Sequence, residues 1–121
     1  ARFKADFGIE PPDDRDGCLQ DVHWYAGSVG GGFQGYTIGN ILSAQFYAAA
    51  VKAHPGIPAE IVAGEFGTLH GWLTKNLYRH GSKFTPNDLI KRATGEPMTM
   101  RPYLAYLRNK YGELYSLPAG A

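Results

Sequence analysis

The sequence lacks the features of several common protein classes. Its 121 residues contain a single cysteine, Cys18, which excludes an internal disulfide and a zinc site of four cysteines. No stretch approaches the ~18 to 20 consecutive apolar residues of a membrane-spanning helix, and no charged-then-apolar start predicts a signal peptide. We therefore expect a cytoplasmic protein without membrane contact.

Neither sign of charge dominates the chain. Twelve Lys and Arg residues face 11 Asp and Glu residues, a formal net charge of +1, and the basic residues are scattered. Surfaces that bind nucleic acid through its phosphates are usually basic. We therefore expect no nucleic-acid partner.

The sequence does contain segments with the periodicity of α-helices. Its hydrophobic fraction of 44% and charged fraction of 19% are ordinary for a soluble globular protein, and no alternation of period two is long enough to predict a strand. The sequence predicts an all-α fold, a bundle of about five helices in a single segment, 1–121. The segments with helical character are 1–7, 16–24, 36–53, 58 to about 80, 86–94 and 101–115.

Local residues mark several helix boundaries. Gly8 is expected to end the first helix, and Thr85 is expected to cap the helix that Gly95 ends. The segment that follows Pro58 carries an apolar stripe at helical spacing. The stripe consists of Val62, Phe66, Leu69, Leu73 and Leu77.

Residues 16–40 hold the greatest density of groups suited to catalysis. Seven glycines lie between Gly17 and Gly39, which predicts a short polar helix that breaks into a glycine-rich loop before the next helix starts near Tyr36. Loops held between rigid elements often carry recognition groups. We interpret this segment as an active-site wall, with the candidate residues Gln20, Asp21, His23, Trp24, Gln34 and Tyr36.

The segment from Gly17 to Trp24 reads Gly-Cys-Leu-Gln-Asp-Val-His-Trp. It resembles the Gly-x-x-Gln-Asp-x-His-Trp signature of the thermostable (Taq-type) metallocarboxypeptidases at all five specified positions, and Cys18 fills a variable position where we expect a small buried apolar residue. The resemblance covers nearly the whole chain. Further similar segments are Pro11 to Asp14, Tyr36 to Asn40, Gly71 to Leu73 and Pro102 to Leu107.

The resemblance implies a function for a longer protein. It implies the C-terminal part of a larger helical zincin-type metallopeptidase that releases single C-terminal amino acids from peptides, uses zinc or cobalt and forms homodimers. The family's His-Glu-x-x-His motif is absent from these 121 residues. We therefore expect the chain to supply the wall of the substrate cleft, to bind no metal alone, to be inactive alone, and to need the remainder of the parent polypeptide as its partner.

The resemblance also suggests roles for the candidate residues. His23 and Tyr36 are predicted to be catalytic, because an imidazole and a phenol can donate to an oxyanion. Gln20, Asp21, Trp24 and Gln34 are predicted to contact substrate or to support the site. Packing is the alternative for His23 and Tyr36, and a helix cap or turn is the alternative for Gln20 and Asp21.

Several features favour simpler interpretations. The family's first tyrosine in the glycine-rich loop is replaced by Gly32, so any role of that ring is absent here. The spacing of His54, His70 and His80 matches no metal site, and the pair Asp13-Asp14 is expected to cap the helix 16–24.

A non-catalytic peptide-binding module and a dimerisation unit are the alternative functions.

Overall fold

A computed structural model of the chain describes residues 2–20, 22–24, 27 and 32–118. All regular elements in these residues are helical, which confirms the predicted all-α fold. No helix in them combines the length and apolar character that crossing a membrane requires. The α-helices are Arg2–Phe7 (α1), Gln34–Ala53 (α2), Ile57–Val62 (α3), Gly67–Asn76 (α4), Pro86–Thr94 (α5) and Arg101–Leu114 (α6), and the 3₁₀ turns are Cys18–Gln20, Val22–Trp24 and Tyr78–His80.

The chain divides into two units, Ala1–Thr37 and Ile38–Ala121. In the first unit, α1 ends as predicted at Gly8, whose backbone φ of 69° lies in the left-handed region that favours glycine. The Gly8 N–H donates to the Lys4 carbonyl over 2.9 Å. This bond closes the last turn of the helix.

The prediction of one helix over 16–24 is wrong. The chain forms two separate 3₁₀ turns there, with the Gln20 N–H donating to the Gly17 carbonyl over 3.1 Å. A bond to the third preceding residue is characteristic of a 3₁₀ helix, and such turns stay short because their geometry is poorer. The segment contains Gly17, two Asp residues, Val22 and Trp24, all of which are weak helix formers.

In the second unit, the core lies where α2, α3 and α4 meet. Ala50 and Ile57 are fully buried and Trp72 is 8% exposed. Helix α2 ends at Ala53 as predicted, before the sequence His54-Pro-Gly. Seven partly buried side chains pack against this core: Phe46, Ala49, Val51, Ile61, Leu69, Leu73 and Ala93.

The prediction of one helix from Pro58 to about residue 80 is also wrong. The chain forms α3, α4 and a 3₁₀ turn instead, with Gly64 at a φ of 78° between α3 and α4. Its N–H donates to the Ile61 carbonyl, and the next N–H donates five residues back, which is the Schellman pattern of a helix end. Because of this break, Val62 and Phe66 leave the predicted stripe and are 89% and 57% exposed.

Helix α5 has the predicted boundaries. The Thr85 hydroxyl oxygen accepts a hydrogen bond from the Asp88 N–H over 3.2 Å, and Gly95 ends the helix in the left-handed conformation. The nine-residue helix therefore begins with a side-chain N-cap and ends at a left-handed glycine. Helix α6 begins at Arg101 as predicted and ends one residue before the predicted end.

A buried amide ties α2 to the end of α5 and to the segment between α5 and α6. The side chain of Gln45 is 2% exposed. Its Nε2 donates to the Thr94 hydroxyl over 3.1 Å and to the Pro97 carbonyl over 2.9 Å, and its Oε1 accepts from the Thr99 N–H over 2.9 Å. The amide therefore uses both its donors and its acceptor, which fixes the approach to α6 against α2.

Candidate functional site

A tight turn precedes the Gly-x-x-Gln-Asp-x-His-Trp segment. The Asp13 carboxylate accepts from the Asp16 N–H over 2.8 Å, and the Asp14 carbonyl accepts from the N–H groups of Gly17 and Leu19. Aspartate side chains commonly close such turns two or three residues along the chain. The predicted helix-capping role of this acidic pair is therefore wrong, because Asp13 closes a turn and no α-helix follows it in the described residues up to Trp24.

Gly17, the first residue of the segment, is required by space. A Cβ at this position would lie 2.8 Å from the backbone oxygen of Asp13 and 3.1 Å from Cβ of Pro11. A backbone oxygen cannot move aside without shifting the turn. The close approach of two chain segments therefore explains glycine here.

The predicted supporting residues Gln20, Asp21 and Trp24 belong to the segment that forms the 3₁₀ turns. The Gln20 side chain is exposed and its Nε2 donates to the Arg15 carbonyl over 2.7 Å, so it braces the turn before it. Asp21 and the side chain of Trp24 lie outside the described residues. Cys18 is exposed, so its predicted burial is wrong in this structure.

His23 lies in the second 3₁₀ turn with its side chain exposed. The His23 imidazole packs edge-to-face with the Phe33 ring, with the ring centroids 5.0 Å apart and the ring planes at 90°. Edge-to-face is a preferred geometry for aromatic pairs. The His23 carbonyl also accepts from the Gly32 N–H over 3.0 Å, which ties Gly32 to the turn, while residues 28–31 of the predicted glycine-rich loop lie outside the described residues.

Tyr36 and Gln34 lie in the first turn of α2. The Tyr36 side chain is 68% exposed, so its ring is not buried in a core here. Its centroid lies 5.2 Å from that of Phe33, with the planes at 42°. Gln34 is exposed and begins the helix.

Phe33 is the residue that sequence reasoning missed. Its half-buried ring contacts both predicted catalytic residues, so the His23 and Tyr36 rings lie within about 10 Å of each other. The structure thus brings together two side chains that stand 13 positions apart in the sequence. The available signal was an aromatic residue three positions before Tyr36, directly after the glycines.

The described residues do not fit a metal site. Nowhere in residues 2–20, 22–24, 27 and 32–118 do three or more His, Cys, Asp or Glu side chains come close enough to hold an ion. His70 and His80 instead contact the rings of Tyr78 and Phe84, at centroid distances of 6.3 and 5.2 Å.

Comparison with known families identifies the class of protein. The family described as Carboxypeptidase Taq (M32) metallopeptidase matches residues 1–111. The chain therefore belongs to this family of metallopeptidases, as its resemblance at Gly17 to Trp24 implied.

Individual relatives are similar over most of this chain. It is 40% identical over 114 residues to thermostable carboxypeptidase 1 of Thermus thermophilus, covering 94% of this chain and 22% of that protein. It is 40% identical over 116 residues to carboxypeptidase 1 of Bacillus subtilis, covering 96% and 23%.

A solved structure agrees with the fold. The crystal structure of a carboxypeptidase of this family from Deinococcus radiodurans R1 superimposes with a TM-score of 0.85 at 59% identity, covering 95% of this chain and 23% of that one. The chain thus spans between a fifth and a quarter of the length of these relatives.

Proposed function

We propose that this chain is the C-terminal part of a metal-dependent carboxypeptidase, which releases single C-terminal amino acids from peptides. In this proposal the chain forms a wall of the substrate cleft. The observation that carries it is the contact of both His23 and Tyr36 with the ring of Phe33, in a chain of this family. The remainder of the enzyme is the chain's partner.

His23 has the chemistry that acyl transfer from a peptide requires. A neutral imidazole donates from one nitrogen and accepts at the other, and it exchanges a proton near neutral pH. Phe33 limits the orientations of the ring through its edge-to-face contact, while the side chain stays exposed to a substrate. We assign to His23 a hydrogen bond to the oxygen that becomes negatively charged as water attacks the peptide carbonyl.

Tyr36 supplies a second donor on the same wall. Its phenol is exposed, and its ring lies within about 10 Å of the His23 ring. We assign Tyr36 to the terminal carboxylate or to the tetrahedral intermediate.

The remaining assignments concern supports and partners. Gln20 and Asp21 are proposed to support the His23 turn, and Trp24 and Gln34 to contact substrate. Zinc or cobalt is proposed to be held elsewhere in the complete enzyme, where such an ion would polarise the scissile carbonyl and activate water. A cytoplasmic location and a homodimeric enzyme complete the proposal.

The catalytic assignment is tested by substitution in the complete enzyme. His23→Ala is expected to lower kcat for an N-blocked dipeptide by roughly tenfold or more, and Tyr36→Phe is expected to lower it as well. His54→Ala is the matched control, because His54 is also exposed but follows α2. Normal turnover by His23→Ala would refute the catalytic role of this imidazole.

The dependence on the rest of the enzyme has its own test. The 121-residue chain, supplied with zinc or cobalt, is expected to release no amino acid from the same dipeptide. Chelator-sensitive release by the chain alone would mean that it binds a metal by an unconventional set of ligands, and would refute the proposal of a wall without metal ligands.

A further inference from the structure

The second unit contains a long apolar groove, which we name the α2–α6 groove. Faces of α2, α4 and α6 line it and enclose a volume of about 1200 Å³. The α2 side carries Ala44 and Ala48 beside the larger Phe46 and Tyr47, and the α6 side is rich in tyrosine. The lining is therefore mainly aliphatic and aromatic.

The size and lining of the groove favour a macromolecular occupant. Clefts for small molecules usually enclose about 300–1000 Å³ and are lined mainly by apolar and aromatic side chains with a few polar groups. This groove is larger, and its third side carries Leu69 and Leu73 of α4 and Leu77 directly after it, at every fourth residue. Three helices that each turn one apolar face to a shared groove form the arrangement that a further helix completes.

A cation marks one margin of the groove. The Lys110 ammonium donates to the Tyr106 hydroxyl over 3.1 Å and lies 5.5 and 5.7 Å from the ring centroids of Tyr106 and Tyr111, both groove-lining residues. The hydrogen bond to Tyr106 raises the pKa of Lys110 and favours its charged form. A carboxylate on the occupant would complement this charge.

We propose that the α2–α6 groove receives an amphipathic helix from another part of the same polypeptide. The helix presents apolar side chains at positions i, i+3 or i+4, and i+7, and carries an Asp or Glu opposite Lys110. This rests on the proposed function, in which the chain is part of a longer enzyme. Its relatives are more than four times as long as this chain, so they have ample sequence for such a helix.

The test measures thiol reactivity in the complete enzyme, in a Cys18→Ser background because Cys18 is exposed. Ala48→Cys places a probe in the groove. Ala53→Cys is the matched control, since both alanines are exposed on α2 but only Ala48 lines the groove. We expect the Ala48→Cys thiol to react with a maleimide at least roughly tenfold more slowly than the Ala53→Cys thiol. Such protection is typical of a site that opens only by local unfolding.

The charge is tested in the same enzyme. Lys110→Glu is expected to raise the reaction rate of the Ala48→Cys thiol by roughly two- to fivefold, the range of an exposed ion pair, and Lys91→Glu on α5 is expected to leave it unchanged. Equal reactivity of the two thiols in an active enzyme would overturn the groove proposal while leaving the proposed function intact. Protection that disappears on dilution would also overturn it, because the occupant would then be a second copy.

Discussion

The amide of Gln45 offers the sharpest stability prediction. Gln45→Leu keeps the approximate size of the side chain but removes all three hydrogen bonds to the end of α5 and to the segment that follows it. The Thr99 N–H and the Pro97 carbonyl then lose their partner in a part-buried place. Leucine can fill the space but can satisfy neither group.

The magnitude follows from these two groups. Leaving one buried donor or acceptor unsatisfied costs about 1–3 kcal/mol. Because both groups are only partly buried, the cost of each lies toward the lower end of this range. The Thr94 hydroxyl loses little, because it still donates to a backbone carbonyl. We therefore expect Gln45→Leu to lower the free energy of unfolding by about 2–4 kcal/mol.

The assay is equilibrium unfolding of the 121-residue chain in urea, read as a shift of the midpoint at constant slope. Ser43→Ala is the matched control two residues away on α2. Its hydroxyl is exposed and bonds only to the Asn40 carbonyl, so a change within about 0.5 kcal/mol is expected. A Gln45→Leu variant as stable as the parent chain would refute the reasoning.

Three further substitutions test local features. Gly17→Ala should destabilise its turn by about 1–3 kcal/mol, as overpacking does, and increase proteolysis there. Thr85→Ala should lower the stability of α5 by about 0.5–2 kcal/mol in urea unfolding, because the Asp88 N–H loses its cap. Tyr106→Phe should lower the pKa of Lys110 toward its usual range, measured by NMR titration, because the hydrogen bond that raises it is lost.

Each of these has a control and a contrary result. Gly35→Ala should be tolerated, since nothing lies within 4 Å of its added Cβ, and equal proteolysis of both glycine variants would contradict the crowding argument. Thr85→Ser should retain the cap, so an equal loss with serine and alanine would point to another cause. Tyr103→Phe should leave the pKa of Lys110 unchanged, and an unchanged pKa in Tyr106→Phe would remove the hydrogen-bond explanation.

Helix boundaries with local causes were predictable from the sequence. Thr85 and Gly95 bracket α5 because a side-chain cap and a left-handed glycine act within a few residues of chain. The break at Gly64 was not predicted, since the apolar spacing continues through it and a glycine inside a helical pattern is ambiguous until its backbone conformation is known.

The candidate site was predictable in its composition but not in its arrangement. The resemblance pointed to His23 and Tyr36, but their shared contact with Phe33 depends on how the chain between them folds back. The Gly32 N–H bond to the His23 carbonyl shows that return, and it joins residues nine apart. Neither helical nor strand periodicity encodes such a contact.

The hydrogen bonds of Gln45 also bear on the order of folding. The two residues joined by each bond are separated by 49, 52 or 54 positions in the sequence. Most contacts within a helix join residues no more than about four positions apart. Contacts of high sequence separation form late, because the intervening chain must first lose its conformational freedom. The helices α3, α4 and α5 are therefore expected to form before α6 joins α2, which makes the α2–α6 groove one of the last surfaces to appear during folding.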